Sequence, residues 1–355
     1  MITVLAYYER ISVYHTMEPF FLPRYRGLFH FTASPEYCLR RDRNRVLFME
    51  RWFKNDLPPD LDLMRRLRER YERIVFFDGY AAAGTHLLEL LPYVDILYHK
   101  ALFNDQGLYR KQLYNKRLFA DYYAERYQIR DDEPEYPQLY RPTDDELAKI
   151  RLSWNIGLGD YPRRHLPQRL GVLISRLLSP RLGRLIRSGG ETPPPDFSSE
   201  KRATPVHARF GLVDSRSVAM QRKLFIDLIA DHGSFATGFV PQKRYYRDLY
   251  DAKMTLSPFG WGEVCFRDFE AVVTGSMLLK PDMSHLRTWP DIYIPYETYV
   301  PLSWDGDDLF EKVDYYLSRP KERSRIAAGA FEQYRKQRHS LPERFEAILQ
   351  ESIDR

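Results

Sequence analysis

The chain has 355 residues, 44% of them apolar and 29% charged, with a formal net charge of +5. That length exceeds one ordinary core and fits two α/β domains with their connections. No apolar run reaches the ~18 residues of a membrane span. The modest charge argues against a nucleic-acid role unless it is concentrated, and Cys38 and Cys265 are too few and too far apart for a disulfide scaffold, which points to a reducing cytoplasm.

Ile2–Ala6 reads as the first strand of a doubly wound domain; it lacks the basic flank of a signal peptide. Arg45–Met49 is a second apolar run, and Leu61–Tyr71 an amphipathic helix with Leu63, Met64, Leu67 and Tyr71 near helical spacing. Arg73–Asp78 is a buried strand ending on an acid, followed by Gly79–His86 and a helix through Leu91. Ligands in open α/β sheets gather at carboxyl strand ends, which makes Asp78 and His86 candidates for chemistry. The plainer readings are a turn or cap acid and a surface histidine. Val94–Lys100 is a further strand with Lys100 as a phosphate or acceptor contact, and Tyr109–Tyr127 a long, basic, tyrosine-rich helix. Residues 130–143, acidic and proline-bearing, read as a surface loop without fixed metal-ligand geometry.

Charge is concentrated in 161–188, where Arg163, Arg164, Arg169, Arg176, Arg181, Arg184 and Arg187 occur with no acid. Leucines and isoleucines from Leu170 to Ile186 interleave at near-helical spacing, and Pro180 divides the run. Such a segment either lies on an anionic membrane surface or packs its leucines on the core as an interdomain helix pair. Nucleic acid is disfavoured, because no recognition module accompanies the charge. Gly189–Ser199 is a linker by composition.

The second domain alternates: strand at Val206–Leu212, helix at Ser217–Ala230, strand at Phe235–Gly238, helix at Lys243–Ala252, strand at Lys253–Leu256. Ser257-Pro-Phe-Gly-Trp-Gly-Glu263 cannot continue that strand, since Pro258, Gly260 and Gly262 break the ladder and permit positive φ. A helix is expected from Glu263 to Val273 with Gly275 as its C-cap, then a strand at Ser276–Lys280. Strand, glycine-bearing turn, helix and strand form the unit that presents backbone N–H groups to phosphate. Arg267 and Glu270, three apart, share a helix face and suit a nucleoside diphosphate: guanidinium on phosphate, carboxylate on ribose. The bland alternative is a surface ion pair. Arg209, Arg216, Lys243 and Lys280 lie near strand ends and would ring the same diphosphate. Asp305–Asp308 reads as a turn with a helix cap at Asp308 rather than a metal motif. Thr298–Trp304 is a last strand, Asp308–Leu317 a helix, and Arg319–Arg355 a helical tail longer than the domain needs.

Gly262-Glu263, Arg267-Asp268-Phe269-Glu270-Ala271, Gly275 and Lys280-Pro281 together resemble the donor-site signature of GT-B glycosyltransferases, nearest the group-1-like and exostosin-like branches. The motif covers about 30 residues, with weaker similarity over roughly 205–340. It departs from the family in having six residues, not seven, between Glu263 and Glu270, and no Pro-Val after Gly275.

The resemblance implies two Rossmann-like domains, at 1–160 and 203–318, joined by 161–202, with 319–355 crossing back to brace the first. It also implies sugar transfer from a nucleotide-activated donor on the second domain to a glycan, lipid-linked or protein acceptor in the cleft. The expected setting is bacterial-type surface polysaccharide or glycoconjugate synthesis, in the cytoplasm or at the inner membrane face. The donor is a substrate, so neither cofactor nor metal is expected. Arg267 and Lys280 are expected on diphosphate, Glu270 on sugar or ribose, and Ser257, Gly260, Gly262 and Glu263 along the donor. Trp261 stacks on base or sugar, or else belongs to a core or interface. Asp78 is the base if configuration inverts. The alternative is a non-catalytic nucleotide- or membrane-surface-binding protein on the same fold.

Overall fold

The computed structural model describes residues 1–50, 59–84, 87–132, 139–162, 165–187, 192–198 and 201–354. His86, Arg163, Arg164 and part of the linker lie outside them.

Apolar runs with β-branched and aromatic residues give the first sheet its strands: β1 (Ile2–Ala6), β2 (Phe29–Thr32), β3 (Val46–Glu50), β4 (Arg73–Asp78), β5 (Ile96–His99) and, beyond β6 (Ala101–Phe103), β7 (Ile150–Leu152). All pair in parallel, in the order β2-β1-β3-β4-β5-β7. Alternate side chains enter opposite layers: Ile74 and Phe76 pack with Leu5, Leu47 and Leu97, whereas Val75 and Phe77 pack with Val4, Phe48 and Tyr98. Both faces are covered, which is why these strands read as unbroken apolar runs.

Around this sheet lie α1 (Ile11–Thr16), α2 (Pro35–Arg40), α3 (Leu61–Arg70), α5 (Asp144–Leu147), α6 (His165–Leu177) and α7 (Pro180–Arg184), while α4 (Leu118–Arg126) packs Phe119 and Tyr123 with Val218 and Phe259 of the second domain. The helix expected over Tyr109–Tyr127 is broken. Gln106–Arg110 and Tyr114–Lys116 are 3₁₀ turns, and Asn115 and Lys116 adopt φ of 48° and 54°, which no α-helix tolerates.

The second sheet is built from β8 (Thr204–His207), β9 (Phe235–Ala236), β10 (Ala252–Leu256), β11 (Met277–Pro281) and, after β12 (Leu286–Thr288), β13 (Val300–Leu302). It is parallel throughout, ordered β13-β11-β10-β8-β9. Its helices are α8 (Arg216–Ile229), α9 (Gln242–Tyr250), α10 (Phe266–Thr274), α11 (Leu309–Leu317) and α12 (Pro320–His339).

Two further devices tie the domains together. β6 of the first pairs antiparallel with β12 of the second, Leu102 opposite Arg287. The last helix, α13 (Leu341–Asp354), returns to the first sheet, where Phe345, Ile348 and Leu349 complete one of its two layers. Tyr98 donates to Glu351 at 2.8 Å and Arg73 Nε to the Ser352 carbonyl at 2.6 Å, fixing its register. The tail therefore crosses back, with a break at Ser340 between α12 and α13.

Candidate active site

The turn after β10 is shaped by one buried carboxylate. Asp268 accepts from the Cys265 backbone N–H at 2.9 Å, which starts α10 at Phe266 rather than at Glu263. It also accepts from Ser257 Oγ at 2.5 Å and Tyr293 OH at 2.7 Å, and pairs with Lys280 Nζ at 3.0 Å. Gly275, at φ 73°, caps the other end as expected.

Gly260 and Gly262 do not use positive φ. Gly262 is a glycine because of close approach: a Cβ there would lie 1.8 Å from the Ala81 carbonyl oxygen of the first domain. One at Gly260 would lie 2.6 Å from Arg222 Nη2. The turn is thus wedged into the domain junction.

It opens on a cleft of about 1440 Å³ between the domains. On the second-domain wall lie Gly260, Trp261, Gly262, Arg267 and Glu270, with Phe266 placing the positive end of the α10 dipole there. Glu270 is held by two hydroxyls, Tyr245 and Tyr246, each donating at 2.8 Å. Burial, reinforced by that carboxylate, pushes the Tyr245 hydroxyl well above its ordinary range, so it stays a donor. Arg267 lies with its guanidinium carbon 5.3 Å from the Phe210 ring centre. His207, buried behind them, is driven down to about 3 by burial and by Arg267 and Arg209, and is neutral.

Other expected residues lie elsewhere. Lys280 is fully buried in its pair with Asp268 and does not line the cleft, so it cannot reach a diphosphate there. Ser257 is likewise buried. Lys243 is exposed on α9, outside the cleft wall, and Arg216 pairs with Asp132 at 2.8 Å. Arg209 does line the cleft but is bound to Asp248 at 2.7 Å. Glu263 precedes the helix and turns away from the cleft, accepting from the Ala83 N–H of the first domain at 3.1 Å. Burial raises its pKa against the pull of Lys100 and Arg117.

Asp78 is only 3% exposed and lies behind the cleft wall. Its carboxylate accepts from Tyr80 N–H at 2.9 Å and approaches His99 Nε2 at 3.4 Å, so it shapes the loop that lines the cleft rather than facing a substrate. The turn-acid reading replaces the catalytic one.

The structure adds residues that sequence reasoning missed. Glu9 and Arg10 enter the cleft just past β1; the strand-end rule applied there would have found them. Arg222 of α8 and Arg117 enter from afar. Arg117 donates to the Trp261 carbonyl at 2.9 Å, its guanidinium carbon 5.8 Å from that indole centre, and so fixes the partly exposed tryptophan at the cleft. Lys100 lines the cleft as expected. Among the described lining residues, Glu9 and Glu270 are the only carboxylates.

Asp305 accepts from Tyr122 at 2.5 Å and pairs with Arg126, while Asp308 stands at the helix N-cap position with its carboxylate on Ser303 N–H and Lys312. Among the described residues, no group of three or more His, Cys, Asp or Glu could hold a metal.

The α6–α7 hairpin packs inside out relative to the core-packing expectation. Gln168 and Gly171 face α1 and Ser175 faces α7, with Gln168 Oε1 2.8 Å from His15 Nε2 and Tyr14 OH donating to Gly183 O at 3.0 Å. The leucines face water: Leu177 is 67%, Leu178 72% and Leu185 78% exposed. Arg184 and Arg187 pair with Glu18 at 2.8 and 3.2 Å and are structural. No helix among the described residues is long and apolar enough to cross a membrane.

Residues 223–350 match a sequence family described as glycosyl transferase-like. No curated protein matches the sequence. Over its whole length the chain is similar to the solved structure of an alpha-glucosyltransferase in complex with UDP, at 9% identity, 98% of this chain and 99% of that one, TM-score 0.51. A glycosyltransferase from Rickettsia africae follows at 10% identity, 99% and 98% coverage and TM-score 0.47. At 9% identity the likeness to the alpha-glucosyltransferase is one of fold. The two parallel-sheet domains with a cleft between them are the fold of that alpha-glucosyltransferase, and the second domain carries most of the similarity to the glycosyl transferase-like family.

Proposed function

We propose that this protein transfers a glycosyl group from a nucleoside-diphosphate sugar on the second domain to an acceptor held against the first. The observation that carries the reading is the pairing, on one face of α10, of Arg267 with a Glu270 fixed by two tyrosine hydroxyls at the cleft wall. Glu270 accepts from donor hydroxyls. Arg267, Arg222 and the α10 N-terminus meet the diphosphate as the glycosidic C–O bond breaks and the electron pair departs with phosphate. These charges are already in place, which is how such a step proceeds without a metal. If configuration inverts, Glu9 is the base on the acceptor side.

A panel of nucleoside diphosphates in a thermal-shift assay tests this. A ligand at 100 times its dissociation constant stabilises the fold by about 2.7 kcal/mol, and the preferred base identifies the donor. No shift with any of them overturns the donor site. A shift without transfer to any acceptor favours the non-catalytic nucleotide-binding alternative.

A second reading concerns residues 165–187, proposed as a peripheral dock on an anionic bilayer. Outward leucines in an arginine-rich, acid-free segment support it. The setting that follows is synthesis of surface polysaccharide or glycoconjugate of bacterial type at the inner membrane face.

A further inference from the structure

Helix α6 has three faces with different tasks. At about 100° per residue, Gln168, Gly171 and Ser175 form the face against the protein, and Leu166, Leu170, Leu173 and Leu177 form the opposite, exposed one. Between them runs a third stripe, Arg169, Val172, Leu173 and Arg176, and all four line the active-site cleft. Leu173 belongs to both the exposed stripe and the cleft wall. The apolar surface and the cleft therefore meet along one helix.

Arg169 and Arg176 are seven residues apart, two turns along the same face. Both are exposed, and neither has an ion-pair partner among the described residues, in contrast to Arg184 and Arg187 on Glu18. Arg10 adds a third exposed cation from the start of α1. The cleft therefore carries positive charge from α6 and the start of α1 as well, in addition to Arg267 and Arg222 of the second domain.

Resting on the glycosyltransferase reading, we infer that the acceptor is an amphiphile whose headgroup carries a phosphate monoester, entering from the bilayer along α6. Its chain stays among the leucines while Arg169, Arg176 and Arg10 hold its phosphate. A soluble glycan or protein acceptor would leave both the leucine stripe and this second cation group without a task. The transferred sugar would join a headgroup hydroxyl, whose proton passes to Glu9 or to water.

Vesicle flotation with phosphatidylcholine doped with either phosphatidic acid or phosphatidylserine, matched in surface charge, tests the inference. The expected result is preference for the phosphate monoester, abolished in Arg169→Gln/Arg176→Gln, which loses about thirtyfold in retention from two arginine–phosphate contacts. Short-chain, water-soluble phosphatidic acid should also bind, and should be lost in the same variant but not in Leu173→Asp/Leu177→Asp. Equal retention on both lipids, or a preference that survives the arginine changes, overturns the headgroup site. The nucleoside-diphosphate shift, measured on the same proteins, reports the donor reading separately: its absence in wild type sinks transfer, whereas its persistence without phosphate preference sinks only the acceptor assignment.

Discussion

Lys280 Nζ lies 3.0 Å from Asp268 Oδ2, with both side chains wholly removed from water. The pair is not a spare cation beside a phosphate but the inner brace of the donor turn, since Asp268 also holds Ser257, Cys265 N–H and Tyr293. Lys280→Ala strands a buried carboxylate and should cost about 3–5 kcal/mol in denaturant unfolding. Adding Asp268→Asn should recover part of that loss. A Lys280→Ala protein with wild-type stability and weakened nucleotide binding would return Lys280 to the diphosphate.

Arg267→Ala should weaken nucleoside-diphosphate binding by about 1.5–3 kcal/mol, the worth of a charge-assisted hydrogen bond. Glu270→Gln should lower kcat with the fold intact. Calorimetric titration and steady-state rates check both. Wild-type behaviour in the two variants would place the donor elsewhere.

Glu263 gives a pH signature. Burial raises its folded-state pKa above the ordinary 4.5, so its stabilising proton is held at low pH and lost as pH climbs from that value through the raised one. Glu263→Gln keeps an acceptor for Ala83 N–H but carries no charge. Its melting temperature should exceed the wild type's at neutral pH, and the gap should close as pH falls below about 4.5. A gap constant across pH would refute the burial argument.

The hairpin reverses the usual sensitivity of leucine and glycine. Leu177→Ala and Leu185→Ala remove exposed side chains and should change stability by no more than about 0.5 kcal/mol. Gly183→Ala puts a Cβ 1.9 Å from Ser175 Oγ and should cost about 1–3 kcal/mol. Thermal melts decide between this pattern and its opposite.

Turnover should persist in EDTA, because cationic side chains and the α10 N-terminus already face the cleft where diphosphate charge would develop. Activity lost on chelation and restored by magnesium or manganese would contradict this.

The face shared by Arg267 and Glu270 was legible because three-residue spacing on a helix is a local fact. Lys280 was not, because its burial depends on Tyr293 and Asp268 arriving from outside its strand. Asp78 and Glu9 both follow strands, and only assembly of the cleft tells which one faces it. Arg117 acts across the domain boundary and Arg222 reaches the turn from another helix of the same domain, and neither leaves a local pattern. For the arginine–leucine run, periodicity marks an apolar stripe without saying which side is wet. The small residues opposite it, Gly171, Ser175 and Gly183, were the overlooked sign that backbones meet there.

Leu341, Phe345, Ile348 and Leu349 lie in the same apolar layer as Val4, Phe48, Val75 and Tyr98. A layer begun at β1 is thus closed by α13, which lies beyond the entire second domain in the chain. A first domain cut away at the linker would lose Leu341, Phe345, Ile348 and Leu349 from its own core and leave apolar surface open to aggregation. The boundary drawn by the two sheets is therefore not a boundary at which the protein can be divided.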